Sequence, residues 1–107
     1  MTFIAMNRFR VALGREDEFE TVWRNRDSDL PAMAGFVAFH LLRGASDEQA
    51  TLFASHTIWE TRGQFEDWTR SEAFRRAHSG APKTMGLYLG PPQFEGFDVV
   101  AETKKAP

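Results

Sequence analysis

FVAFHLLRGASDEQATLFASHTIWE, positions 36–60, decides the fold. Two apolar, aromatic runs, FVAFHLLR (36–43) and TLFASHTIWE (51–60), flank the polar GASDEQA. That pattern predicts a β-hairpin. Upstream, DSDLPAMAG (27–35) is a loop punctuated by Pro31 and Gly35. Before it, REDEFETVWRNR sets Phe19, Val22, Trp23 and Arg26 at helical spacing, with acids in the first turn and Arg24 and Arg26 in the last. This predicts a helix over about 15–27. Residues 3–12 alternate, with Phe3, Ala5, Asn7, Phe9 and Val11 on one face and Ile4, Met6, Arg8 and Arg10 on the other, as a strand does.

Downstream, Thr61 and Gln64 form a capping box that opens a helix. Ser71 starts a second helical piece, because serine prefers caps to helix interiors. SGAPKTMGLYLGPP (79–92), rich in Gly and Pro, predicts a long mobile loop, and QFEGFDVVAE (93–102) is the last strand. The order is β-α-β-β-α-β. It predicts a ferredoxin-like α+β fold, an antiparallel sheet with both helices on one face, forming a single domain over 1–107.

Composition narrows the partners. Ten Phe and three Trp exceed what a core of this size needs, so a dimer interface or an apolar pocket is expected to use the surplus. The net charge is −2 and the third strand lacks an RNA-recognition motif, so no nucleic-acid partner is expected. The absence of cysteine excludes disulfides and thiolate metal sites and suits a reducing compartment. No apolar run of about 18 residues spans a membrane. Asn7, Arg8 and Arg10 interrupt what a signal peptide would keep apolar, which predicts a cytoplasmic protein.

Three residues stand out against their surroundings. Asn7 shares a strand face with apolar neighbours, either bonded to nearby backbone or placed in a pocket. Trp68 belongs to a helical stripe with Phe65 and Phe74, either as core or as the wall of a flat ligand's site. His78 closes the helical stretch WTRSEAFRRAH (68–78), either as a helix-end histidine or as a metal ligand. His40 and His56 lie within the hairpin strands and could face one another, but they lack the spacing of a zinc site. Phosphate-binding glycine loops are missing.

FEDWTRSEAFRRAH (65–78) resembles the signature segment of the IsdG-type haem-degrading monooxygenases, in the antibiotic-biosynthesis-monooxygenase superfamily of dimeric α+β barrels. Trp68, Ser71, Phe74 and His78 fill that family's W-x-x-S-x-x-F-x-x-x-H frame. AMNRFRVALG (5–14) is similar to its first strand, with Asn7 at the matching place, and the likeness covers about positions 2–102. The resemblance implies that His78 is the axial ligand of haem iron. It implies that Asn7 lies on the distal side and that Trp68 presses the porphyrin out of plane. Phe74 and Arg75 are expected to help bind haem, with Arg75 and Arg76 near its propionates, and Met85, Leu87, Tyr88 and Leu89 to close over it. Haem would be substrate and cofactor, opened with O2 and electrons from a separate reductase, with iron acquisition as the purpose and a homodimer as the assembly. Two other readings stay open. One is a cofactor-free monooxygenase acting on an aromatic polyketide or quinol. The other is a non-enzymatic haem-binding protein.

Overall fold

In a computed structural model, which describes residues 1–26, 29–77 and 86–107, the predicted element order is present. β1 (Phe3–Ala12) is followed by α1 (Glu16–Arg24), a short 3-10 turn (Leu30–Ala32), β2 (Phe36–Ser46) and β3 (Ala50–Trp59). Then come α2 (Arg62–Thr69), α3 (Glu72–Ala77) and β4 (Gln93–Asp98). The four strands form one antiparallel sheet in the order β2-β3-β1-β4, the ferredoxin-like arrangement.

Local chemistry sets most element boundaries. The hairpin turns where Asp47 Oδ1 accepts from the backbone N–H groups of Gln49 and Ala50, at 2.7 and 2.9 Å. Thr61 caps α2, its hydroxyl accepting from the Gln64 N–H at 3.2 Å, as the capping box predicts. The end of β4 follows from a distant partner. β4 stops at Asp98, short of the expected 102, because β1 begins at Phe3 and the last bond beyond it is Val99 N–H to the Thr2 carbonyl. α1 ends at Arg24 rather than near 27; Arg26 N–H bonds the Trp23 carbonyl in a tightened last turn.

The alternation of β1 is realised as read. Phe3, Ala5, Phe9 and Val11 are buried on the face toward the helices, while Arg8 and Arg10 are exposed on the other. The core divides in two. Phe3, Ala5, Leu30, Trp59 and Trp68 pack together near α2. Phe9, Val11, Phe19, Phe53 and Leu87 pack under α1.

 

Asn7 lies between these two clusters on the same strand face, so the core is interrupted where β1 carries its one polar inward residue. Phe53 of the second cluster meets Phe19 with ring centres 4.5 Å apart and planes tilted at 51°, which ties β3 to α1.

Part of the expected loop over 79–92 lies outside the described residues, as do Met85 and His78. The described end of that loop is tied to β1. Ala12 N–H bonds the Leu87 carbonyl and Leu89 N–H bonds the Arg10 carbonyl, both at 2.8 Å, with Tyr88 bridged to Val11. Leu87 is fully buried, whereas Leu89 is exposed.

Gly96 on β4 supports this packing by having no side chain. A Cβ there would stand 2.7 Å from Phe3 Cζ. Phe3 is 2% exposed and held by Phe65, 5.3 Å away between ring centres. Gly96→Ala is therefore expected to destabilise the chain by about 1–3 kcal/mol. Urea unfolding checks this, and an unchanged midpoint would mean that the Phe3 ring moves aside freely.

Candidate functional site

Between the helix-facing side of the sheet and the helices lies a cavity of about 960 Å³. This is within the usual size range of small-molecule and cofactor pockets, about 300–1,000 Å³. Its floor is built from inward positions of the two central strands. Ala5, Asn7 and Phe9 come from β1, and Ser55 and Thr57 from β3. Asn7 and Ser55 are direct cross-strand partners, so an amide and a hydroxyl stand side by side beneath aromatic walls. The Thr57 hydroxyl donates to the Ala5 carbonyl at 3.3 Å. The Asn7 carboxamide makes no hydrogen bond among the described residues.

One wall is the Trp68 side chain with Phe65 and Phe74. Phe74 meets Trp68 edge to face, with ring centres 4.8 Å apart and planes at 86°. Ser71 holds this pair in place. Its hydroxyl donates to the Trp68 carbonyl at 2.6 Å, where α2 ends, and accepts from the Phe74 N–H at 3.1 Å, where α3 begins. One side chain closes the first helix and caps the second, which explains a serine three residues after the tryptophan and three before the phenylalanine. Ser71→Ala is expected to cost about 1 kcal/mol of stability and to loosen the Trp68–Phe74 contact. Denaturation followed by tryptophan fluorescence checks both; an unchanged midpoint and spectrum would show the cap to be dispensable.

Trp68 is 8% exposed and packs 5.7 Å from Trp59, so it is core, and it also lines the cavity. Trp68→Ala is expected to cost about 3–5 kcal/mol, a large share of the ~5–15 kcal/mol that holds a typical domain. Trp68→Phe keeps most of the packing and separates the wall role from the core role. A Trp68→Ala chain as stable as the native one would remove it from the core.

The opposite wall carries a cation. The Arg26 guanidinium lies 4.1 Å from the centre of the Trp23 ring, and Trp23 in turn stacks on Phe39 with an 8° angle between planes. All three residues line the cavity. Burial lowers the Arg26 pKa from its ordinary value, and Tyr88 opposes that shift. Arginine stays charged despite such a shift, so the cavity has one cationic end. Arg75 is exposed on α3 and stands outside the cavity wall. Arg76 side-chain placement and His78 lie outside the described residues.

Among the expected site residues, the structure thus brings together Asn7, Trp68 and Phe74. Sequence reading missed Ser55 and Arg26. Ser55 is in phase with Phe53 and Thr57 on β3, so a small polar residue at an inward strand position was the available signal. For Arg26 the available signal was its place at helical spacing with Phe19, Val22 and Trp23, which puts it on their face. His40 and His56 face each other as anticipated, on the sheet side away from the cavity.

Residues 2–80 match the model of the family described as antibiotic biosynthesis monooxygenase. Over 65 residues the chain is 38% identical to a haem-degrading monooxygenase of Shouchella clausii, a match that spans 61% of this chain and 60% of that protein. The fold matches MhuD, a haem degrader of Mycobacterium tuberculosis solved with two haems bound in its active site. There the TM-score is 0.73 and the identity 25%, over 95% of this chain and 99% of that one. It also matches SnoaB, a cofactor-independent oxygenase of Streptomyces nogalater, with a TM-score of 0.68 and 19% identity over 97% and 98% of the two chains. The family match takes in β1, the hairpin and the three helices that contribute to the cavity, and the chain belongs to the antibiotic biosynthesis monooxygenase family.

Proposed function

We propose that this chain is a haem-degrading monooxygenase that opens the porphyrin ring of bound haem with O2 and electrons from a separate reductase, releasing iron and a linear tetrapyrrole. The observation that carries the reading is the make-up of the cavity. Flat aromatic walls suit a large planar ring, the Asn7–Ser55 amide–hydroxyl pair marks the floor, and Arg26 gives one end a positive charge. A porphyrin with two carboxylates has the complementary shape and charge. The named haem degraders among the similar proteins point the same way.

Haem, when bound, supplies the iron that activates dioxygen and is itself the molecule that is opened. The chain's residues do the rest. His78 would hold the haem iron. The chain has three histidines, and His40 and His56 are on the other side of the sheet. His78 follows directly on α3, whose Phe74 lines the cavity. Asn7 offers an N–H donor and a carbonyl acceptor from the floor, able to orient an oxygen species or steer a proton. Trp68, backed by Trp59 and Phe74, would form a stiff wall against the bound ring. Arg26 is the residue of choice for a propionate, ahead of the exposed Arg75. Leu42, Leu52 and Phe97, exposed on the sheet's outer face, are where a second copy of the chain would pack in a homodimer.

A cofactor-independent oxygenase is the second reading, because SnoaB, described as one, shares the fold. Titration with hemin, followed by ascorbate or a reductase in air, separates the readings. A saturable Soret band that decays with iron release is the expected result. A band that survives reduction would indicate a haem-binding protein without this activity, and no saturable band would favour the cofactor-independent oxygenase.

A further inference from the structure

We propose that His40 and His56 form a binding site for a late first-row divalent cation, Cu²⁺, Ni²⁺ or Zn²⁺, on the sheet face turned away from the cavity. The two residues are direct cross-strand partners on β2 and β3. Side chains of such a pair project from one face with their Cβ atoms roughly 4.5–5.5 Å apart. Their ring centres are 5.6 Å apart. A metal–imidazole bond of about 2.0–2.1 Å places each ring centre roughly 3.2 Å from the ion, so two rings on one tetrahedral ion stand roughly 5.2 Å apart. The observed separation is within a small rotamer adjustment of that value.

The surroundings select the class of ion. On the same row of the sheet, Met6 is the β1 partner of His56, and Glu95 is the β4 partner of Met6. The Glu95 carboxylate is already paired with Arg8. The site therefore offers two imidazole nitrogens without a free carboxylate beside them. Nitrogen donors suit copper, nickel and zinc, whereas calcium and magnesium take oxygen. No group of three or more His, Cys, Asp or Glu that could hold a metal exists among the described residues. Water, or the same pair from a second copy, completes the coordination. His40 is exposed and His56 half-buried, so the pair is open to solvent in one chain.

The test is calorimetric titration of the untagged, haem-free full chain with Ni²⁺ and with Cu²⁺. The chains compared are the native one, His40→Gln, His56→Gln, the double variant and His78→Gln. Saturable binding is expected at one ion per chain, or one per two chains if two copies share it, and tighter for Cu²⁺ than for Ni²⁺. Each hairpin substitution is expected to weaken binding at least about tenfold, while His78→Gln leaves it unchanged. Equal binding by the double variant, loss confined to His78→Gln, or no saturable binding by the native chain would overturn the assignment. Circular dichroism checks folding, and should His56→Gln misfold, the exposed His40→Gln decides the outcome alone.

Discussion

Replacing His78 with alanine is expected to lower haem affinity on the order of a hundredfold or more and to abolish the Soret spectrum of the ligated form. Changes in outer-shell partners alone cost about 10–100-fold in metal affinity, and His78 is assigned to the metal itself. The assignment rests on the family frame and on where the other histidines stand. His40 and His56 pair with each other on the far side of the sheet and cannot reach the cavity without crossing it. Added imidazole is expected to restore part of the spectrum by filling the vacated position. Far-UV circular dichroism separates loss of ligation from loss of fold. A variant that folds and keeps its native haem spectrum would place the axial donor elsewhere, and a spectrum that imidazole leaves untouched would argue against a vacated ligand position.

Replacing Asn7 with alanine is expected to spare haem binding and to lower turnover on the order of 10²–10³-fold, the usual effect of removing one preorganised donor. Stability is expected to change little. The carboxamide holds no hydrogen bond among the described residues, and it occupies the gap between the two core clusters. Single-turnover decay of the bound spectrum, measured beside the binding titration, checks both halves. Retained turnover would remove Asn7 from the chemistry. A parallel loss of affinity and turnover would make it a binding residue instead.

Much of the fold was legible because its causes are local. The hairpin, the Thr61–Gln64 capping box and the helix restart at Ser71 each depend on residues within a few positions of one another, and each is present. The end of β4 was misjudged because it depends on a distant partner. β4 runs only as far as β1 can pair with it, and no property of residues 99–102 announces that limit. In the site, Asn7, Trp68 and Phe74 were visible as departures from periodicity or as members of a spaced frame. Ser55 and Arg26 were not. Their importance comes from lying beside Asn7 and over Trp23, relations that cross the sheet or turn back over a helix end.

The sequence by itself determined the element order, the inward face of β1 and the spacing that joins Trp68 to Phe74 through Ser71. These follow from the two-residue period of a strand, the 3.6-residue period of a helix and the short reach of a serine hydroxyl. Only the tertiary structure decided that the core splits around Asn7, that Ser55 stands beside it, that Arg26 makes one end of the cavity cationic, and that His40 and His56 face away from it. Those outcomes depend on strand register and on helix placement over the sheet. Both are set by the packing of residues far apart in the chain, so no local pattern encodes them.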